Sequence, residues 1–187
     1  MDFKLPVPML NIINGGKHAD SGLDIQEFMI APVGVDHFKE KVMAGTKVIA
    51  SLKKILIEKG HATSIGDEGG FAPKLHSNED ALWLIEEAIK KAGYTFDQIK
   101  IAIDVAASSF YENGLYQLRI AGTPQGLDSK SMIDWYEVLI GTHPIISIED
   151  GLAEDDWEGF SMLNEKIGRK VQIVGDDLTV TNVNRIR

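Results

Sequence analysis

Three short apolar segments, each running into an acidic residue, constrain the fold of this chain most. They are residues 99–103 before Asp104, residues 145–148 before Glu149, and residues 171–175 before Asp176. Apolar runs of this length predict buried strands, and helical patterns between them predict an α/β fold with a parallel sheet. Because parallel strands end at the same edge of a sheet, we expect the three carboxylates to share that edge.

The remaining periodicity predicts a β, β, α, α, β, α, β, α, β order. The opening strands are expected at 9–13 and 23–30, and the later helices run from Ser129 to about Ile140 and through Trp157 to Gly168. Such a chain supplies about five of the eight strands of a TIM-like (β/α)8 barrel. The sequence therefore predicts one incomplete barrel domain over residues 1–187.

Local signals predict how several elements begin and end. Apolar residues spaced alternately by four and three predict a helix from Phe38, with Asp36 capping its start and Gly60 ending it. A capping box at 77–80 predicts the start of the second helix. Asn113-Gly114 between alternating residues predicts a β-hairpin, an excursion between a strand and a helix.

Charge and composition exclude several classes of partner. The net charge is −9, and the 19 basic residues are spread along the chain, which argues against nucleic acid and anionic membranes. There is no cysteine, no apolar run near the roughly 20 residues that span a bilayer, and no signal-peptide pattern at the start. A soluble cytoplasmic protein is the expectation.

The acidic strand ends predict a metal site. Three carboxylates crowded together repel one another unless a cation lies between them. Oxygen ligands select hard ions, so Mg²⁺ is the expected cofactor, and Mn²⁺ could substitute for it. The alternative is that Asp104, Glu149 and Asp176 are solvated or cap the following helices.

Three other residues have two readings each. Glu68, within the glycine-rich segment 66–70, either projects into a cleft or belongs to a plain turn. Glu27 lies in a predicted strand, where it needs a ligand or partner on a buried face and signifies nothing on the outer face. His18 either donates to an anionic substrate group or is a solvated loop histidine.

Several collinear motifs resemble the enolase family across nearly the whole chain. They lie at residues 5–8, 11–16, 18–19, 26–30, 66–73, 104–108, 147–150 and 176–182. The resemblance implies an enolase-type barrel with a β-β-α-α start, of which the N-terminal capping domain and the last strands are expected to be absent. It implies a lyase that reversibly dehydrates 2-phosphoglycerate to phosphoenolpyruvate in glycolysis, and a homo-oligomeric full-length protein.

The resemblance also implies roles for individual residues. Asp104, Glu149 and Asp176 would bind the Mg²⁺ that stabilises the dianionic enediolate intermediate, because the positive ion offsets the developing charge. Glu68 would act as general acid, and Glu27 would share its network through water. The substrate-binding residues would be His18, Gln26, Glu27, Glu149 and Asp176.

Two expectations concern the chain as a separate molecule. The family's lysine base would lie beyond Arg187, so residues 1–187 alone are expected to be inactive. A noncatalytic binding or scaffold fragment derived from enolase remains the alternative.

Overall fold

The computed structural model describes residues 5–16, 21–66 and 68–187 as eight strands, five α-helices and one short 3-10 helix. The strands are β1 (Leu10–Asn14), β2 (Glu27–Ala31), β3 (Lys100–Asp104), β4 (Tyr111–Glu112), β5 (Leu115–Ile120), β6 (Thr123–Leu127), β7 (Ile145–Glu149) and β8 (Gln172–Val174). The helices are α1 (Phe38–Glu58), α2 (Asn78–Lys91), α3 (Ser129–Thr142), α4 (Trp157–Ile167) and α5 (Val183–Ile186), and the 3-10 helix is Ala107–Phe110. None of these described helices combines the length and apolar character needed to cross a membrane.

Five strands form one open sheet in the order β1-β2-β3-β7-β8. β3, β7 and β8 are parallel, as predicted. β2 departs from this parallel arrangement and is antiparallel to both β1 and β3, in keeping with the β-β-α-α start that the family resemblance implies. Among the described strands, β1 and β8 remain the two edges, so the sheet does not close into a barrel, in agreement with the incomplete barrel expected.

One face of the sheet packs against helices; we call the opposite face the inner face. Residues that alternate along the strands point to opposite faces. Phe28, Ile103 and Ile148 lie side by side, are fully buried, and join the hydrophobic core to which helices α1 to α4 contribute. The inner face instead presents Met29 and Ala102, so the bulky aliphatic packing lies outside the barrel wall.

The predicted helix ends are confirmed at two positions and wrong at a third. Ser77 accepts a hydrogen bond from the backbone N–H of Asp80 at 3.2 Å, and the reciprocal half of the capping box is also present. Gly60, with φ of +77°, follows the last residues of α1. Asp36 is not the N-cap of α1, because that position belongs to His37, which makes no side-chain capping bond.

The second strand begins later than predicted because a neighbouring helix takes its backbone donors. The Asn78 Oδ1 atom accepts hydrogen bonds from the N–H groups of Asp24 and Ile25, at 3.0 and 3.2 Å. These residues are therefore bonded to the start of α2 instead of a strand partner. Ladder pairing of β2 begins only at Glu27.

The predicted hairpin is confirmed and carries an additional strand. Asn113 and Gly114, with φ of +52° and +84°, connect β4 to β5. β6 then pairs antiparallel with β5, although Pro124 and Gly126 are residues that disfavour strands. As the edge strand of this small sheet, β6 tolerates a proline that cannot donate a ladder hydrogen bond.

A buried carboxylate–imidazole pair connects α2 to His143, the residue that caps the end of α3 two positions before β7. His143 Nδ1 lies 2.6 Å from Glu86 Oε1, and the two side chains are 2% and 6% exposed. The Trp83 ring covers the imidazole edge-on, with ring centroids 4.7 Å apart. Since removal of one partner leaves the other buried without its hydrogen bond, this pair should be costly to break.

We expect Glu86→Ala to lower the free energy of unfolding by about 3 kcal/mol, because His143 would lose its buried partner. The matched control is Glu87→Ala, since Glu87 pairs with Lys59 at 3.2 Å on the surface and both side chains are about half exposed. That change should cost less than about 1 kcal/mol. Denaturant titration measures both variants, and equal losses would contradict the role assigned to the buried pair.

Candidate metal and substrate site

The reversed direction of β2 brings four strand ends to one rim of the sheet. β2 begins where β1, β3 and β7 end, and its Glu27 pairs with Asn14 on one side and Asp104 on the other. Asp104 in turn pairs with Glu149. Neighbouring strands lie about 5 Å apart, so three carboxylate-bearing residues stand abreast at this rim.

This register also fixes the face of the sheet on which Glu27 lies. Glu27 alternates with Phe28, whose side chain is fully buried in the core beneath the helices. Glu27 therefore lies on the inner face with Met29, and it is half-buried. The structure thus places this carboxylate on the face of the sheet opposite the helix-packed core, and its role there stays a prediction.

Asp176, the third predicted ligand, follows the next strand along the sheet. β8 pairs with β7 so that Val174 lies beside Glu149, and Asp176 comes two residues later in an exposed position. It therefore belongs to the same end of the sheet as Asp104 and Glu149. Its position is set by a loop and not by the strand ladder.

Asp104 is held by hydrogen bonds to both carboxylate oxygens. Gln26 Nε2 donates to Oδ2 at 2.9 Å, and the backbone N–H of Ala106 donates to Oδ1 at 3.1 Å. Burial raises the pKa of Asp104 to about 6, the Gln26 hydrogen bond opposes that rise, and the nearby charge of Asp150 adds to it. Gln26, predicted to bind substrate, thus directly contacts a predicted metal ligand.

The pKa of Glu149 is affected by several neighbouring carboxylates at the rim. Its pKa is raised to about 7, first by burial and then by the negative charges of Asp104, Asp150 and Asp176. A positive neighbour within a few ångströms would stabilise the charged form of such a carboxylate. The electrostatics therefore fit a cation at this rim.

The chemistry of the donors fits Mg²⁺, although the side chains do not form a ready-made cluster. Within the described ranges, no three His, Asp or Glu side chains are gathered closely enough to hold an ion. The predicted ligands Asp104, Glu149 and Asp176 offer oxygen atoms alone, which hard divalent cations prefer. The metal-site prediction rests on the shared rim and this donor set.

The loop that carries Glu68 docks along the free edge of β1. Phe71 N–H donates to Ile12 O, and Asn14 N–H donates to Phe71 O, both at 2.9 Å. A Cβ atom on Gly70 would lie 2.3 Å from Asn14 Oδ1, so only glycine fits this close approach. Glu68 is exposed in this loop, beside the strand that ends at the rim.

His18 lies outside the described residues, and its substrate-binding role stays a prediction. The described residues on either side of that segment are anchored near Gln26. Gly15 N–H donates to Gln26 O at 2.8 Å, and Gly16 N–H donates to Leu23 O at 3.0 Å.

Sequence reasoning did not single out Asp150, which is buried directly behind Glu149. Its carboxylate accepts hydrogen bonds from the backbone N–H groups of three consecutive residues in the loop after β8. The one available signal was a second acid immediately after a strand-ending acid. That pattern does not reveal that the two carboxylates have different partners.

We expect Glu149→Gln to stabilise the metal-free protein at about pH 8. A raised pKa means that folding favours the protonated acid, so the associated stability is full below the ordinary value of 4.5 and is lost as the pH rises through about 7. Glutamine stays neutral and avoids that loss. The midpoint of thermal unfolding in the presence of a chelator should rise by roughly 2–4 °C at pH 8 and change little near pH 4.

Glu112→Gln is the control, because Glu112 is exposed and lies in β4, which belongs to the small three-stranded sheet and not to the sheet with the acidic rim. It should leave the midpoint nearly unchanged at both pH values. A Glu149→Gln midpoint equal to or below that of the unaltered protein at pH 8 would contradict the destabilising charge.

Comparison with known protein families agrees with this architecture. The sequence model of the family described as "Enolase, C-terminal TIM barrel domain" matches residues 2–187. The expected barrel fold and the broader family resemblance are therefore confirmed. With nearly its full length matched, the chain belongs to the family of enolase C-terminal TIM barrel domains.

Proposed function

We propose that this chain contains the metal ligands and acid-side carboxylates of an enolase, a Mg²⁺-dependent lyase that interconverts 2-phosphoglycerate and phosphoenolpyruvate. The observation that carries the proposal is the register in which Glu27, Asp104 and Glu149 stand abreast at one rim. Family membership supports an enolase-type enzyme at the coarser level. The specific substrate pair is our inference.

In this proposal Asp104, Glu149 and Asp176 hold the metal ion. The ion, when bound, supplies positive charge opposite the negative charge that develops on the substrate carboxylate as the adjacent carbon loses its proton. The raised pKa values of Asp104 and Glu149 support this assignment, because a nearby cation favours their charged forms.

The other residues handle orientation and protons. Gln26 fixes the orientation of the Asp104 carboxylate by donating a hydrogen bond to Oδ2. Its second N–H and its amide oxygen are then available for the substrate. Glu68 delivers a proton to the departing hydroxyl group, and Glu27 shares that proton network through water. His18 contacts the anionic substrate.

The proposed setting is a cytoplasmic, homo-oligomeric enzyme with a small-molecule substrate. The net charge of −9 supports a partner other than nucleic acid or an anionic membrane. The proposal assigns the role of the family's lysine base to none of the described residues.

We expect Glu149→Gln and Asp104→Asn each to weaken Mg²⁺ binding by at least about 100-fold, more than the loss of a partner outside the ligand shell costs. Isothermal titration calorimetry with Mg²⁺ measures this loss, and Glu112→Gln should bind as the unaltered protein does. If the folded, unaltered protein binds no Mg²⁺, the noncatalytic scaffold reading is favoured instead.

We expect Glu68→Gln to lower kcat by about 10²–10⁴-fold in the full-length protein, because the amide cannot donate the proton as an acid does. Formation of phosphoenolpyruvate from 2-phosphoglycerate with Mg²⁺ is the assay. Mg²⁺ affinity should stay unchanged, since Glu68 is not a proposed ligand. Unaltered full-length protein that binds Mg²⁺ but converts no 2-phosphoglycerate would overturn the substrate assignment and leave the metal site standing.

A further inference from the structure

The segments that carry the three predicted metal ligands meet at one residue, Asp150, which directly follows β7 and is hydrogen-bonded to the segment after β3 and to the loop after β8. Its carboxylate Oδ2 accepts the backbone N–H groups of Asp176 and Asp177 at 3.2 and 2.8 Å, and Oδ1 accepts that of Leu178 at 3.3 Å. Its own N–H donates to Val174 O at 3.0 Å. Asp150 therefore holds both sides of the turn on which Asp176 lies.

Asp150 also connects to the strand of the first ligand. Its backbone carbonyl accepts a hydrogen bond from Ala107 N–H at 3.0 Å, three residues after Asp104. In the same segment, Val105 N–H donates to Glu149 O at 2.9 Å. The loops after β3, β7 and β8 are thus joined through residues 149 and 150.

The backbone conformation and the hydrogen bonds of Asp150 distinguish it from the adjacent predicted ligand Glu149. Its φ is +44°, a left-handed value that Asp and Asn adopt more readily than most residues. The residue is 3% exposed, and both carboxylate oxygens are directed at backbone N–H donors. Metal coordination by these oxygens would compete with three hydrogen bonds, so Asp150 is suited to support and not to ligation.

We propose that Asp150 is the positioning residue of the metal site, which sets Asp176 beside Glu149 by binding three consecutive backbone amides of the β8 loop. This inference rests on the proposed function for the existence of the metal. Its structural part, the restraint of residues 176–178, stands separately. Residues that orient ligands in this way commonly change metal affinity by about 10–100-fold when they are removed.

Three variants separate hydrogen bonding from charge. Asp150→Ala removes all three acceptor contacts, whereas Asp150→Asn removes the charge but keeps one acceptor oxygen and suits the left-handed backbone. Asp177→Asn is the matched control, because it removes one charge from the same loop and leaves the three backbone amides bonded to Asp150.

The first readout is hydrogen exchange at the amides of residues 176–178 without metal. Asp150→Asn should accelerate exchange at one or more of these amides by about fivefold, the equivalent of one net hydrogen bond, and Asp150→Ala should accelerate all three further. Asp177→Asn should exchange as the unaltered protein does. Unchanged exchange in Asp150→Asn would overturn the proposal, even if Asp150→Ala failed to fold.

The second readout is Mn²⁺ affinity from the electron paramagnetic resonance signal of the free ion. Asp150→Ala should weaken binding by at least about tenfold, Asp150→Asn by less, and Asp177→Asn by less than about threefold. Equal weakening by Asp150→Asn and Asp177→Asn would show that only charge matters and would overturn the positioning role. If the unaltered protein binds no Mn²⁺ or Mg²⁺, the proposed function fails, and the exchange experiment still decides whether Asp150 restrains the loop.

Discussion

The antiparallel pairing of β2 between β1 and β3 is the constraint on which the candidate site depends. Because β2 runs opposite to its neighbours, its first residue and not its last lies at the rim where the other strands end. A parallel β2 would send Glu27 to the far end of a strand five residues long. A one-residue slip would instead turn Glu27 toward the core, since side chains alternate between faces. Direction and register are both needed to bring it beside Asp104.

Asp104 and Glu149 place two carboxylates side by side at the rim, where both are partly buried. Asp104 and Glu149 carry raised pKa values because burial and their acidic neighbours disfavour the charged forms. The helix-packed face on the other side of the sheet supplies the apolar burial that offsets this cost. Hydrogen bonds from Gln26 and Ala106 keep Asp104 in place. Carboxylates crowded in this way cost stability, a compromise that is common at functional sites.

Local signals predicted the features that depend on neighbouring residues. The Ser77 capping box, Gly60 after α1 and the Asn113-Gly114 turn each require only a few adjacent positions, and each is present. Long-range contacts explain two differences between the predicted and the observed strands. Asn78 draws the backbone of Asp24 and Ile25 away from β2, and pairing with β5 makes a strand of a segment that contains Pro124. No pattern within either segment encodes such a partner.

The sequence by itself determined the element order, the acidic ends of β3 and β7, the acid that follows β8, and the enolase resemblance, because apolar periodicity and short motifs are local properties. Only the tertiary structure decided that β2 reverses, that Glu27 faces inward, and that Asp150 binds the loop of Asp176. The physical reason is distance along the chain. Gln26 and Asp104 are 78 residues apart, and Asp150 and Asp177 are 27 apart. Their hydrogen bonds exist only because the folded sheet brings those segments to one rim.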